Sequence, residues 1–168
     1  MRYQMKQKLF SFGDDFSITD GSGRKVATVD GKVLALRNKL ELLDPSGEQL
    51  AMIKEHFIAP LRPVYDVERN GKTVATVKKD LFTLFRASFT VDVPGPDDLE
   101  AQGSFMDHEY TFKRGNKTVA KVSKAWFSIT DSYGVDVEDG EDWVLILAST
   151  IVIDMCCLEK PNKSLRSR

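Results

Sequence analysis

Cysteine is nearly missing from this chain: its 168 residues hold two, Cys156 and Cys157, side by side. Neither a disulfide framework nor a zinc site made of two Cys pairs can be built from them. Histidine is as scarce, with His56 and His108 alone, which leaves little for metal ligation or acid–base work, and no cofactor or metal is expected. No Gly-x-Ser-x-Gly elbow and no His-Glu-x-x-His pair occurs. There is no excess of one charge either: 24 basic residues face 25 acidic ones, for a formal net charge of -1. Without clustered Lys and Arg to neutralise phosphates, nucleic acid is not expected as a partner. Residues 1–8 are polar and basic rather than a secretory leader, so a cytoplasmic location is expected.

What is present is ordinary globular composition, 42% apolar and 29% charged, in a length that fits one domain. The charge is uneven: residues 1–90 carry +4, residues 91–142 carry -7 and residues 143–168 carry +2.

A short phrase recurs. Gly23-Arg-Lys-Val26-Ala27-Thr-Val29, Gly47-Glu-Gln-Leu50-Ala51-Met-Ile53 and Gly71-Lys-Thr-Val74-Ala75-Thr-Val77 start 24 residues apart, and Asn116-Lys-Thr-Val119-Ala120-Lys-Val122 follows 45 residues later. Gly and Asn adopt positive φ most easily, so each phrase reads as a hairpin turn leading into a strand. The third and fourth copies stay alike further on, Lys79-Asp-Leu-Phe82 against Lys124-Ala-Trp-Phe127 and Val91-Asp-Val93 against Val135-Asp-Val137. Such repeats bury their apolar faces by joining neighbours, which favours a continuous or closed sheet.

Further strands are expected over 9–18, 34–43, 64–69, 81–93, 110–114 and 127–130, between Gly, Asn, Asp and Pro turns. At roughly 11 or 12 residues per strand and turn, the part of the chain before the last helix holds about twelve strands. Barrels of about eight strands fill themselves with side chains, so a larger closed sheet needs something inside.

The candidate filling is WVLILASTIVIDMCCL, residues 143–158, apolar on every face except Ser149, Thr150 and Asp154. A helix of this kind must be buried all round. Asp136, Glu138, Asp139, Glu141 and Asp142 precede it and Lys160-Pro161 follows, so a core helix is expected over 142–159. A tail anchor would need about 20 apolar residues without an internal acid, so no transmembrane span is expected. The repeated Ala27, Ala51, Ala75 and Ala120 share an alternation phase with Val29, Ile53, Val77 and Val122, and are expected on the inner wall, where small side chains make room for the helix. The whole reads as a mainly β domain over 1–160, a closed barrel of about twelve strands around a hydrophobic C-terminal helix, with a short basic tail at 161–168 expected to be disordered.

Three residues stand out as candidate ligand contacts. Lys79 and Lys124 hold equivalent repeat positions in the phase of the inner face, so they point toward a barrel mouth or end their strands in water. Asp154 lies one helical turn from Thr150 within the plug, either as an internally paired polar group or as a ligand contact. Cys156 and Cys157 read as small core residues with inert thiols, and His56 and His108 as surface histidines near turns. Gly71-Lys72-Thr73 lacks the upstream glycine and following helix of a phosphate loop, and Asp136-Val-Glu138-Asp139-Gly140 departs from calcium-loop spacing.

The chain resembles the LURP-one-related family nearly throughout, in Met5-Lys-Gln-Lys-Leu-Phe-Ser-Phe-Gly-Asp-Asp15, Leu81-Phe82, Phe89-Thr-Val-Asp-Val-Pro-Gly-Pro-Asp-Asp-Leu-Glu-Ala101 and Gly140-Glu-Asp-Trp-Val-Leu-Ile-Leu-Ala148. The resemblance implies a fold like the tubby C-terminal domain and the phospholipid scramblases, a closed twelve-stranded barrel around a hydrophobic C-terminal helix. Relatives of that fold bind phosphoinositide headgroups or act at membranes, although no motif carries their contact residues onto positions here. The expected function is a non-enzymatic binding or scaffold module that engages an anionic lipid headgroup or a protein partner. A location at the membrane surface would use the tail's Lys160, Lys163, Arg166 and Arg168. The alternative is a small-molecule enzyme using the loop carboxylates Asp14, Asp15, Asp97 or Asp98.

Overall fold

The computed structural model describes residues 1–6, 15–30, 39–58, 62–80, 88–127 and 132–158. Twelve strands form one closed antiparallel barrel: β1 (Arg2–Lys6), β2 (Phe16–Asp20), β3 (Lys25–Asp30), β4 (Lys39–Leu43), β5 (Gln49–Ile58), β6 (Arg62–Arg69), β7 (Lys72–Asp80), β8 (Ser88–Asp92), β9 (Leu99–Ser104), β10 (Glu109–Arg114), β11 (Lys117–Ser123) and β12 (Ser132–Val137). Each strand pairs with its neighbours in sequence, and β1 closes the ring on β12 from Arg2 opposite Asp136 to Lys6 opposite Ser132. Among the described residues a single α-helix, α1 (Trp143–Leu158), follows the last strand.

The strands form where apolar residues alternate. Phe16 and Ile18 in β2, Leu40 and Leu42 in β4, and Tyr110 and Phe112 in β10 are all buried in the core that surrounds α1. Ala27, Ala51, Ala75 and Ala120 are at most 1% exposed and share that core with Val29, Ile53, Val77 and Val122, so the small-residue positions do line the inner wall.

The repeated phrase also encodes a β-bulge. Across β2 and β3 the register passes from Ile18 opposite Ala27 to Thr19 opposite Lys25, skipping Val26. The same slip skips Leu50 in β5, Val74 in β7 and Val119 in β11. A bulge adds an unpaired residue and sharpens the local twist. Here the extra residue packs against the core as well: Val26, Leu50 and Val74 are half-buried on it and Val119 is fully buried. The turn residues depart from the expected pattern in the fourth copy. Positive φ falls on Gly23, Gly47 and Gly71, as expected, but on Gly115 rather than Asn116 in the last hairpin.

Three strands, β1, β9 and β12, lie where none was expected. β1 has its Tyr3 and Met5 turned inward. β12 runs to Val137, so Asp136 pairs with Arg2 across the closing seam, 3.2 Å apart, instead of preceding the helix as a capping acid. The expected strand at 127–130 is not borne out at Phe127, which follows a 3-10 turn (Lys124–Trp126). Its other residues, like 9–14, 34–38, 81–87, Glu159, Lys160 and the tail at 161–168, lie outside the described residues.

The start of α1 is fixed by ionic groups from two hairpin turns. The Asp142 carboxylate accepts the Leu145 amide at 3.1 Å and the backbone carbonyl of Asp142 accepts from Ile146, the geometry of an N-terminal cap. Arg69, at the end of β6, grips the same carboxylate through both guanidinium nitrogens at 2.8 and 2.6 Å. Arg114 and Lys117, flanking the β10–β11 turn, hold Glu141 at 2.9 and 3.1 Å. Burial works to raise both acids, but these cations outweigh it and hold them below the usual carboxylate range. Trp143 then stacks on Tyr3, and the helix packs along β5, β6, β7 and β12. No helix among the described residues is long and apolar enough to cross a membrane.

The inner wall leaves no room for growth at the alanines. Ala75→Leu should cost about 1–3 kcal/mol of stability, against a change within about 0.5 kcal/mol for Thr73→Leu on the exposed side of the same strand, both read from urea denaturation.

Candidate functional site

Because the strands run up and down, the last residues of β5, β7, β9 and β11 and the first residues of β6, β8, β10 and β12 lie at the barrel end opposite the Arg69–Asp142 clamp. The last turns of α1 reach that end. The polar groups of the interior concentrate there.

Asp154 is the centre of the cluster. It is 2% exposed. One carboxylate oxygen accepts from the Tyr133 hydroxyl of β12, and the other lies 3.2 Å from His108 Nε2. Burial raises the Asp154 pKa, because desolvation penalises the charged form, and contacts with His108, Tyr133 and the charge of Lys124 offset this only in part. Burial first, and then the Asp154 charge, pushes the Tyr133 and Tyr110 hydroxyls well above their usual range. Tyr110 lies beside Thr150 without closing a well-formed hydrogen bond. Thr150 donates to the Ile146 carbonyl at 2.9 Å. Asp154 is thus an internally paired polar group, and its partners belong to the barrel wall.

His108 is not a surface residue. It is 6% exposed, stacks on the Tyr133 ring at 4.2 Å and holds a left-handed backbone, φ 52°, in the β9–β10 connection. Its Nδ1 is buried with no hydrogen-bond partner among the described residues. The close pairing that seats this hairpin depends on Gly103, which sits opposite Tyr110; a Cβ there would meet the Glu109 carbonyl at 2.5 Å. His56, by contrast, is exposed and lies 3.3 Å from Asp66, which also accepts from Thr76.

The two lysines come to the same end by different routes. Lys79 is still within β7, opposite Phe89, and half-buried. Lys124 has left β11 and begins the 3-10 turn, with its amide donating to Glu109 at 2.9 Å. Their charges act on neighbouring points of α1: that of Lys124 on Asp154, and that of Lys79 on Cys157. Burial pushes the Cys157 thiol up to about 11 against the pull of Lys79, so it is protonated and unreactive at neutral pH. Lys79, Lys124 and Asp154 are thus brought together at one end of the barrel, and His108, Tyr110 and Tyr133 join them although no sequence pattern marked them.

The loop carboxylates have structural partners. Asp98 accepts the Val93 amide at 2.8 Å and Asp97 lies 3.8 Å from Arg114. Asp15 is exposed, and Asp14 lies outside the described residues. No group of three or more potential metal ligands occurs among the described residues.

Replacing Asp154 separates charge from hydrogen bonding. Asp154→Ala strands the Tyr133 hydroxyl and the His108 ring nitrogen in the core and should cost about 3–5 kcal/mol, whereas Asp154→Asn keeps an acceptor and removes the buried charge. A carboxyl whose pKa is raised on folding stabilises the native state below its unfolded pKa and loses that contribution as pH rises through the folded value. The stability of the wild type relative to Asp154→Asn should therefore increase as pH falls below neutrality, as checked by urea denaturation across the acid range.

A family model described as LURP-one-related matches residues 1–154. The uncharacterised protein YxjI of Bacillus subtilis (strain 168) is 32% identical over 161 residues, covering 96% of each chain. An X-ray structure of an Arabidopsis thaliana protein superposes with a TM-score of 0.67 at 20% identity, over 93% of this chain and 91% of that one.

Proposed function

From a chain that belongs to the LURP-one-related family, we propose a non-enzymatic binding module that turns one end of its barrel, with Lys79 and Lys124, toward the anionic headgroups of a membrane surface. The observation that carries this reading is convergence. Two lysines from distant parts of the sequence, Lys79 near the end of β7 and Lys124 just after β11, lie at the barrel end that holds Asp154.

The electrostatics support it. Burial favours the neutral form of Asp154, which weakens the negative charge that it sets against the lysines. Glu109 is engaged by the Ser123 hydroxyl at 2.7 Å and the Lys124 amide at 2.9 Å. Half-buried lysines of this kind lay their methylene stems along apolar surface.

Vesicles of phosphatidylglycerol in phosphatidylcholine supply the test, at low and physiological salt. Each lysine near an anionic surface contributes about 1 kcal/mol, so Lys79→Gln combined with Lys124→Gln should weaken binding about thirtyfold, and added salt should weaken it for the wild type. Undiminished binding by the double variant overturns the proposal. Loss of binding on truncation after Lys160 instead would assign the contact to the basic tail.

A further inference from the structure

We propose that His56 is an acceptor site for a phosphoryl group, taken at its Nε2 from a small donor whose leaving group is an amine. The site lies on the outer wall of the barrel and is independent of Lys79, Lys124 and the plug. Its placement follows from strand alternation. Ile53 of β5, Val67 of β6 and Val77 of β7 point into the core, so His56, Asp66 and Thr76, which lie an odd number of positions from them, share the outward face. Asp66 is directly opposite Thr76 across β6 and β7, and diagonal to His56 across β5 and β6, where His56 is opposite Val64.

The three side chains are linked in a row. Thr76 Oγ1 donates to one Asp66 oxygen at 2.7 Å, and the other Asp66 oxygen lies 3.3 Å from His56 Nδ1. Both carboxylate oxygens are thus engaged, which fixes the plane of the group. A carboxylate facing Nδ1 selects the neutral tautomer with its proton on that nitrogen and its lone pair on Nε2. The His56 side chain is 46% exposed and that of Asp66 is 24% exposed, and Asp66 is the one partner of His56 among the described residues. The ring is therefore held from one side and open on the other. A nucleophile held by a carboxylate that a third group orients in turn is the arrangement that activates histidine for covalent chemistry.

The setting selects the group transferred. An open strand face does not enclose an organic substrate, so it suits a reagent that needs no cleft. A phosphoryl group meets that condition, and an N-phosphorylated imidazole outlasts an acylated one in neutral water. In the transfer the Nε2 lone pair attacks phosphorus while the bond from phosphorus to the protonated donor nitrogen breaks, and the amine leaves neutral with that electron pair. The ring keeps its Nδ1 proton and becomes positively charged. Asp66 faces that charge, which develops only as the new bond forms, and so favours the transfer.

Phosphoramidate, from which ammonia leaves, is the probe. The folded protein is treated at neutral pH, the label is located by peptide fragmentation, and phosphorus NMR identifies the nitrogen that bears it. His56 should be labelled at Nε2 alone, because Nδ1 is occupied by Asp66. Asp66→Asn keeps an acceptor for the Nδ1 proton and removes the charge, so its His56 should be labelled about fivefold more slowly, the scale set by a partly exposed ion pair. Thr76→Val should slow labelling by a smaller factor, since it frees the carboxylate to rotate without removing it. The position of the label in the wild type needs no variant to fold. Labelling at Nδ1, absence of label from His56, or equal rates in wild type and Asp66→Asn overturns the proposal.

Discussion

An α-helix that is apolar on every face cannot lie on a sheet with one side in water, because each exposed turn leaves several hydrocarbon side chains hydrated. α1 is such a helix over nearly its whole length, and the rest of the molecule is arranged to enclose it. Enclosure demands a ring wider than one filled by its own side chains, which twelve strands provide. It also demands thin walls where the helix approaches, which the four recurring alanines supply. Closure has a second benefit, since a ring leaves no unpaired strand edge to recruit other chains.

The two ends of the plug are secured by different chemistry. At its start, near solvent, the helix is held by charge: Arg69 on Asp142, and Arg114 and Lys117 on Glu141. At its far end Asp154 meets the Tyr133 hydroxyl and the His108 ring inside the wall. Charged pairs suit the first position because water and ample partners lessen the desolvation cost. In the second, an ionised group has only the contacts the fold provides. Each end suits the dielectric around it.

Much of this was legible in the chain. Closure, strand number, the plug and the inward alanines follow from local periodicity and from a repeat, which are properties of the sequence alone. The bulges were not legible, because skipping Val26, Leu50, Val74 or Val119 is a fact about register between two strands. β12 was hidden by its acids: Asp136 looks like a helix-capping residue until Arg2 is known to lie across from it. Of the candidate site, Asp154, Lys79 and Lys124 could be named from polarity and repeat phase. His108 could not, since its burial depends on a carboxylate from the plug and a ring from β12, and nothing in its neighbours announces the left-handed turn that places it there.

The seam between β1 and β12 joins the first strand to the last one. During synthesis, therefore, β1 leaves the ribosome long before the strand that completes its pairing, and the plug that fills the interior comes later still. Until then the nascent sheet has an open edge and an unfilled concave face, both hazards for association with other unfinished chains. Contacts so distant in sequence make folding slow. The order of elements thus places the decisive step of folding after translation of the barrel strands, when the helix follows the last of them.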